Sequence, residues 1–333
     1  MFTPIETTVG AFLLHEAATG FLFKDGYVLG ASGLLRELLL MRSTRSILFM
    51  SGMASSYGLL KLVLPELLPA YSMVEAGNWK SVLFAIGMGA LTGLGTKLGA
   101  GCTSGHMLCG LSRLSPRSLL ATATFFPAAA LTFNLVHGSS TPLTVCADVA
   151  GKPCYTPTYP SNAVTIRLLL LATAIIAQYH LTPPVVEKVT GEKKAARAWS
   201  TYLTGLTFGL GLLISGMATP SKVLAFFAVA SPGLRNWDPS LALIIVFGIL
   251  PQMAYYLSHQ RQLQEKPAYA EKFSLPTTTL KDTDWRFVAG AAMFGIAWGL
   301  SGVCPGPAIL RAVAQPLWGL MWMGGFGAGS LLV

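Results

Sequence analysis

The chain is poor in charged residues. Only 11% of its 333 residues are Asp, Glu, Lys or Arg, while 53% are hydrophobic and 35 are glycine. A soluble globular domain carries about 25% charged residues. Apolar stretches of roughly 20 residues recur here, and that is the length at which a helix crosses a bilayer. The composition excludes a soluble domain and predicts an all-α polytopic membrane protein whose main partner is the lipid bilayer.

Acidic residues are scarcer than basic ones, with 14 of the former against 23 of the latter and a formal net charge of +9. The basic residues cluster at the ends of apolar segments and in certain loops, which encodes membrane orientation rather than nucleic-acid binding. The clusters are Arg36, Arg42 and Arg45; Arg113 and Arg117; Lys188, Lys193, Lys194 and Arg197; and the basic residues of 261–286. We expect the protein to lie in the plasma membrane with these clusters on the cytoplasmic side. This arrangement predicts an external N-terminus and a cytoplasmic C-terminus.

The sequence also lacks an ATP-binding loop, because no G-x-x-x-x-G-K-[ST] occurs in it, and no cofactor is predicted. Cysteine is limited to five residues. Cys102, Cys109 and Cys304 lie in apolar, glycine-rich segments. Cys146 and Cys154 share one polar loop, where they can form a disulfide if that loop faces an oxidising compartment.

Hydropathy predicts about nine transmembrane helices, at 8–23, 45–67, 79–98, 117–136, 163–181, 197–215, 239–258, 285–300 and 316–333. Four short helices follow glycine-rich or proline-containing breaks, near 30–41, 103–112, 220–231 and 306–314. They are too short to cross a bilayer, so we interpret them as half-helices. The polar segment 259–284 is expected to be a solvated cytoplasmic connector.

A motif of the first half returns in the second. Gly93–Leu108 aligns without a gap with Gly295–Leu310, and the alignment pairs Cys102 with Cys304. Glycine-interrupted hydrophobic segments at matching positions of two halves indicate a transporter's binding site. Span count and charge predict that the halves have opposite orientations. We therefore expect a first repeat at 1–150, a linker span and cytoplasmic loop at 151–197, and a second, inverted repeat at 198–333, with the broken helices meeting near the midplane.

The candidate site residues lie at these breaks. Soft thiols, hydroxyls and positively polarised helix N-termini suit a small anion. Three candidates also have structural interpretations: Lys97 can extend to the cytoplasmic face, His106 can bond a backbone carbonyl, and Cys109 can serve packing. No metal is assigned to the site. The full set is Lys97, Gly101, Cys102, Thr103, Ser104, His106, Cys109, Ser215, Gly302, Cys304 and Pro305.

Two motifs carry a family resemblance. The stretch Gly95-x-Lys97-x-Gly99-x-Gly101-Cys102-Thr103-Ser104-Gly105-His106 resembles the signature loop of the YeeE/YedE sulfur-transport family, and Gly302-x-Cys304-Pro305-Gly306-Pro307 resembles its counterpart. The resemblance covers nearly the whole chain and is closest to a fusion of the family's two-subunit form. It implies uptake of thiosulfate or a related sulfur anion, with thiols handing it along a narrow pore, and a soluble sulfur-carrier protein on the cytoplasmic side.

The chain departs from that family at its first break. The best-known single-chain members carry a further cysteine in a Gly-Phe-Cys-Phe-like turn, where this sequence reads Gly26-Tyr27-Val28-Leu29-Gly30. The expected cargo is therefore a small sulfur-containing anion, of which thiosulfate is one.

We interpret the chain as a membrane permease and not as an enzyme. Two alternatives stay open at this point. One is an intramembrane thiol enzyme handling sulfane sulfur, although no clear general base accompanies both cysteines. The other is a soft-metal transporter using Cys102, His106, Cys109 and Cys304, although Asp and Glu are nearly absent from the spans.

Overall fold

A computed structural model describes residues 1–41, 43–72, 78–137, 146 and 152–332. Arg42 of the first basic cluster and the predicted boundary at residues 150 and 151 lie outside the described residues. The described chain is helical, with loops and two isolated β-bridges. Its principal helices are Pro4–Phe23 (α1), Ala31–Arg36 continuing as a π-turn Glu37–Met41 (α2), Thr44–Val63 (α3), Trp79–Leu98 (α4), Ser104–Gly110 (α5), Pro116–His137 (α6), Asn162–Thr190 (α7), Lys193–Ile214 (α8), Pro220–Phe227 (α9), the composite Pro239–Ser258 (α10), Trp285–Ser301 (α11), Pro305–Ala314 (α12) and Pro316–Leu331 (α13).

The helices agree with a multi-pass membrane protein. Within the described residues, six segments are long and apolar enough to cross a bilayer, namely 44–63, 79–98, 116–136, 162–190, 239–258 and 285–314. Helices α1, α8 and α13 occupy the other three predicted positions. The all-α membrane class is confirmed, and the figure of nine crossings stays a prediction.

Helix α7 is longer than predicted. It was expected to end at residue 181, but it runs to Thr190 through Pro183 and Pro184. Pro183 has no N–H to donate to the carbonyl four residues earlier, which is that of Tyr179. The Lys24 ammonium donates to this carbonyl at 2.7 Å and lies 3.7 Å from the Tyr179 ring centroid. A cation from a distant segment thus replaces the missing donor, and the helix continues.

The predicted halves interleave and do not form two separate bodies. Helices α1 and α3 of the first half pack against α8 of the second, and α4 packs against α11 and α13. Buried aromatic rings join α6, α9 and α11, with the Phe227 and Trp298 centroids 4.7 Å apart in an edge-to-face contact. This packing brings the helix breaks of both halves into the interior.

The polar segment 259–284 is docked on the first helix break. Its backbone N–H groups at Ala268 and Tyr269 donate to the carbonyls of Phe23 and Lys24, and Ser274 N–H donates to Gly26 O at 2.7 Å. These carbonyls lack helical partners because α1 ends there. Most of the segment is exposed, as its polar composition indicated. The backbone pairing that fixes it was not predicted, and its cytoplasmic location stays a prediction.

Candidate functional site

The two paired cysteines occupy equivalent structural positions. The Cys102 carbonyl accepts the His106 N–H at 2.9 Å, and the Cys304 carbonyl accepts the Ala308 N–H at 3.0 Å. Each cysteine therefore stands at the start of a short helix, α5 and α12 respectively. The two cysteines that the alignment pairs therefore have the same backbone role, since the carbonyl of each accepts the N–H of the residue four positions later.

The break before Cys304 is shaped by three residues. Gly302 ends α11 with φ of +67°, a left-handed conformation that favours glycine. Ser301 Oγ accepts the Val303 N–H at 3.2 Å. Pro305 is the first residue of α12, where a missing N–H leaves no helical bond unmade. Gly302 and Pro305 thus set the backbone path that presents the Cys304 side chain.

Hydroxyl groups connect the half-helices around the thiols. Thr103 Oγ1 donates to Cys304 Sγ at 3.6 Å, which joins the first-half break to the second-half break. Ser104 Oγ lies 3.3 Å from Cys102 Sγ and accepts the N–H of Ala31, the first residue of α2, at 2.9 Å. These side chains are buried. The hydroxyls therefore satisfy backbone and thiol groups at the meeting point of three half-helices.

A small cavity lies at this meeting point, and we call it the constriction. Its volume is about 30 Å³, room for about two waters. None of its described lining residues is charged. An anion of five atoms can enter only if lining side chains move. Met107 and Met217 belong to the lining, and methionine side chains are flexible enough to move. Its walls are Leu14, Ala31, Thr103, Ser104, Met107, Leu108, Phe208, Leu212, Met217, Ile244, Cys304, Gly306 and Pro307.

A larger cavity of about 640 Å³ is lined by Gly30 and Gly105, the chain neighbours of the constriction residues Ala31 and Ser104. We call it the basic vestibule, because five of its lining residues are cationic and one, Glu37, is acidic. Glu37 is already paired with Arg45 and accepts from Ser46. Like charges around a cleft with apolar walls concentrate anions there. The five cations are Arg36, Arg45, Lys97, Arg113 and Arg117.

A third cavity, of about 590 Å³, is lined by Ser301 and Val303, which precede Cys304. We call it the aromatic cavity, because rings from three segments line it. Lys80 at the start of α4 also lines it, whereas Lys97 at the other end of α4 lines the basic vestibule. Its cationic lining residues are Lys80 and Arg311, and no carboxylate belongs to its described lining. Its aromatic members are Tyr71, Phe84, Trp318 and Trp322. The constriction therefore lies between two cavities that both carry positive charge.

Several predicted site residues lie off these cavities. Cys102 and Cys109 are buried, and neither lines any of the three. Gln252 donates to Cys109 Sγ at 3.7 Å, as expected of a packing residue. His106 lines the basic vestibule, but its ring nitrogens face Gly99 O at 2.9 Å and Ser118 Oγ at 3.1 Å. Both are occupied, so His106 holds the break and does not face a cysteine as a base.

Ser215 and the loop cysteines also have defined positions in the structure. Ser215 lies at the end of α8, where its Oγ accepts the Met217 N–H at 3.4 Å and its carbonyl accepts from Thr7 at 3.3 Å. Cys146 and Cys154 are joined by a disulfide. Across the described ranges, no group of three His, Cys, Asp or Glu side chains is arranged to hold a metal ion. Arg311, which lines the aromatic cavity, was not among the predicted residues.

The chain is similar to a described protein family and to several probable transporters. Residues 197–332 match a family described as a family of unknown function, DUF6691. A probable transporter of Xylella fastidiosa strain 9a5c is 44% identical over 131 residues, which are 38% of this chain and 83% of the relative. Two probable transporters of strain Temecula1 are 45% identical over 106 residues (32% of this chain, 66% of the relative) and 38% identical over 118 residues (35% and 83%). One aligned stretch is 38% of this chain but 83% of the first relative, so that relative is less than half as long.

Proposed function

Because this chain belongs to the family of the Xylella fastidiosa probable transporters, we propose that it is a membrane permease that takes up thiosulfate or a related small sulfur-containing anion. The observation that carries this proposal is the Thr103–Cys304 contact at 3.6 Å, in a constriction between two cation-lined cavities. Together with the signature-like motifs, it supports membership of the YeeE/YedE family.

The chemistry of the three cavities suits such a cargo. A bare dianion in hydrocarbon is prohibitively costly, and the cations of the two larger cavities reduce that cost at either end. The constriction offers a thiol, two hydroxyls and helix N-termini in place of full charges. Weak donors of this kind release an anion readily, which conduction requires.

The helix contacts support two inverted repeats. Under the predicted repeat, α1 corresponds to α8 and α4 to α11, and each of these pairs is in contact. The contact of α3 with α8 then corresponds to that of α10 with α1, and the contact of α6 with α11 to that of α13 with α4. A relative less than half as long as this chain agrees with a fusion of two shorter subunits.

The sidedness of the molecule supports an external N-terminus. Phe2 N–H donates to Cys154 O at 3.0 Å, so the disulfide lies at the end of α1 where the chain begins. The basic vestibule includes Tyr27 and Val28, beyond the far end of this 20-residue helix of about 30 Å. An oxidising exterior beside the disulfide and a cytoplasm beside the basic residues satisfy both chemical preferences. A soluble sulfur carrier would then meet the basic vestibule.

Uptake of thiosulfate labelled at its outer sulfur tests the function, in cells that lack other sulfate and thiosulfate permeases. We expect uptake by the wild type and a loss of about tenfold or more in Cys304→Ala, because the thiol lines the narrowest point. Thr103→Val, which removes the hydroxyl at nearly constant volume, is expected to have an intermediate effect. Cys109→Ala removes a buried thiol away from the cavities and is expected to retain uptake.

Surface expression is measured for each variant so that lost folding is not read as lost transport. Uptake that is unaffected by Cys304→Ala and Thr103→Val would keep the permease but reject the thiol constriction. Absence of sulfur-anion uptake by the expressed wild type would reject the proposed cargo. A covalent sulfur adduct on Cys304 without transport would instead favour a thiol enzyme.

A further inference from the structure

Arg311 is a buried cation on the wall of the aromatic cavity. The residue is only 8% exposed, although arginine side chains usually reach water. Its guanidinium lies 4.2 Å from the Trp318 ring centroid and 5.3 Å from that of Tyr71. Both distances lie within cation–π range, so the rings restrict where the guanidinium can lie.

The described partners of Arg311 are neutral. One terminal nitrogen donates to Ser72 O at 3.1 Å, and Nε donates to the Gln315 side-chain oxygen at 3.1 Å. No carboxylate forms an ion pair with Arg311 in the part of the chain that the structure describes. A buried charge held by neutral groups alone is costly. The surroundings are therefore favourable to an anion that arrives at the cavity.

The second cation of the same cavity is of a different kind. Lys80 lies in the first turn of α4 and is exposed, with its ammonium group 5.9 Å from the Trp79 ring centroid. A flexible, solvated ammonium suits the first attraction of an anion, while a fixed guanidinium suits oriented binding of its oxygens. Ser221 and Ser301 add hydroxyls to the same lining, close to the break that leads to Cys304.

We infer that the aromatic cavity is an anion-recognition site, in which Arg311 and Lys80 bind a small tetrahedral dianion such as thiosulfate or sulfate before it reaches the constriction. The inference rests on the proposed function for its place in the transport path, but the binding itself does not require transport. Arg311 determines the orientation and selectivity of binding, and Lys80 contributes attraction.

Two measurements test the inference separately from the function. The first is calorimetric titration of thiosulfate and of sulfate into the purified protein in lipid nanodiscs. The second is the dependence of uptake on thiosulfate concentration. The variants are Arg311→Lys, Arg311→Gln and Lys80→Gln. The controls are Arg167→Gln and Lys152→Gln, which remove exposed cations that do not line the cavity. Arg167 forms an exposed ion pair with Glu66, so Lys152→Gln is the simpler of the two.

Loss of charge-assisted bonds to Arg311 is expected to weaken binding and raise KM about tenfold in Arg311→Gln. Arg311→Lys keeps the charge but not the planar donor edge, and about a threefold loss or more is expected there. Lys80→Gln, which removes an exposed charge and is expected to leave the fold intact, is expected to raise KM about threefold. Both controls are expected to match the wild type.

The outcomes separate the two claims. Wild-type uptake with unchanged Kd and KM in folded Arg311→Lys and Lys80→Gln overturns the recognition site and leaves the permease standing. Anion binding that depends on Arg311 in a wild type without uptake supports the site and rejects the proposed function. No binding of either anion by the purified wild type overturns the site. Should Arg311→Gln fail to fold, Arg311→Lys and Lys80→Gln give the same decision.

Discussion

The basic vestibule and the aromatic cavity are similar in size, at about 640 and 590 Å³, but they hold their cations differently. The basic vestibule has five cationic lining residues on loops and helix ends. The aromatic cavity has Lys80 at its rim and Arg311 buried between rings. Cytoplasmic positive charge accompanies almost any polytopic membrane protein, whatever it transports. On the proposed topology, the charge of the basic vestibule is therefore expected from orientation alone.

Arg311 has no such explanation. On the proposed topology it lies in the outer half of the molecule, where orientation signals disfavour basic residues. Burying a guanidinium there is costly unless the site uses it. The two cations of the aromatic cavity therefore support the proposed anionic cargo more strongly than the five of the basic vestibule do.

The largest effect is expected where the constriction meets the aromatic cavity, at Gly302. A Cβ on Gly302 would lie 2.5 Å from Pro220 O, in addition to the left-handed φ of +67°. Gly191 offers a matched position with φ of +71° and nothing within 4 Å of an added Cβ. Gly191→Ala is expected to cost about 1 kcal/mol of unfolding free energy, and Gly302→Ala about 1–3 kcal/mol more.

Thermal unfolding in detergent measures both glycine variants, and uptake is assayed beside it. Gly302→Ala is expected to lose uptake because the added Cβ pushes the break before α12, which holds Cys304, away from the start of α9. Gly191→Ala is expected to keep uptake. Equal thermal midpoints and equal uptake for the two variants would show that the Gly302–Pro220 approach does not shape the pore.

An intermediate effect is expected at the segment that covers the basic vestibule. Ser274 N–H donates to Gly26 O at 2.7 Å, and Thr278 of the same segment accepts from Arg117. Ser274→Pro removes this N–H, whereas Ser274→Ala keeps it. We expect faster amide hydrogen exchange around 268–274, and altered uptake, in Ser274→Pro only. Similar exchange in both variants would mean that the backbone pairing does not hold the segment.

Local features of the fold could be predicted from the sequence. Apolar length located the long helices, and glycine or proline with a following small residue located the four short ones, because both signals depend on neighbours in the chain. The equivalent positions of Cys102 and Cys304 followed from one gapless alignment. Thr103 was among the candidate site residues, but its contact with Cys304 joins positions 201 residues apart in the chain and could not be predicted from the sequence.

Features that join distant segments could not be predicted. Helix α7 passes Pro183 because Lys24 supplies a donor from another helix end. Segment 259–284 is ordered by carbonyls more than 240 residues earlier in the chain. The environment of Arg311 depends on the rings of Tyr71 and Trp318, and Tyr71 comes from a distant part of the chain. In the sequence, Arg311 is the residue that directly follows the aligned stretch Gly295–Leu310.

The smallest effect is expected for one cation of the basic vestibule, which sharpens its contrast with Arg311. Lys97 is exposed and shares the cavity with four guanidinium groups, so Lys97→Gln removes one charge of five. We expect KM for thiosulfate to rise about twofold or less at low salt, and the difference from wild type to vanish near 0.5 M ionic strength, because exposed charges are screened there. The effect of Arg311→Gln should persist at the same ionic strength, since a buried charge is screened less. If Lys97→Gln instead raised KM as much as Arg311→Gln, and did so independently of salt, Lys97 would be a specific ligand and the basic vestibule more than an electrostatic funnel.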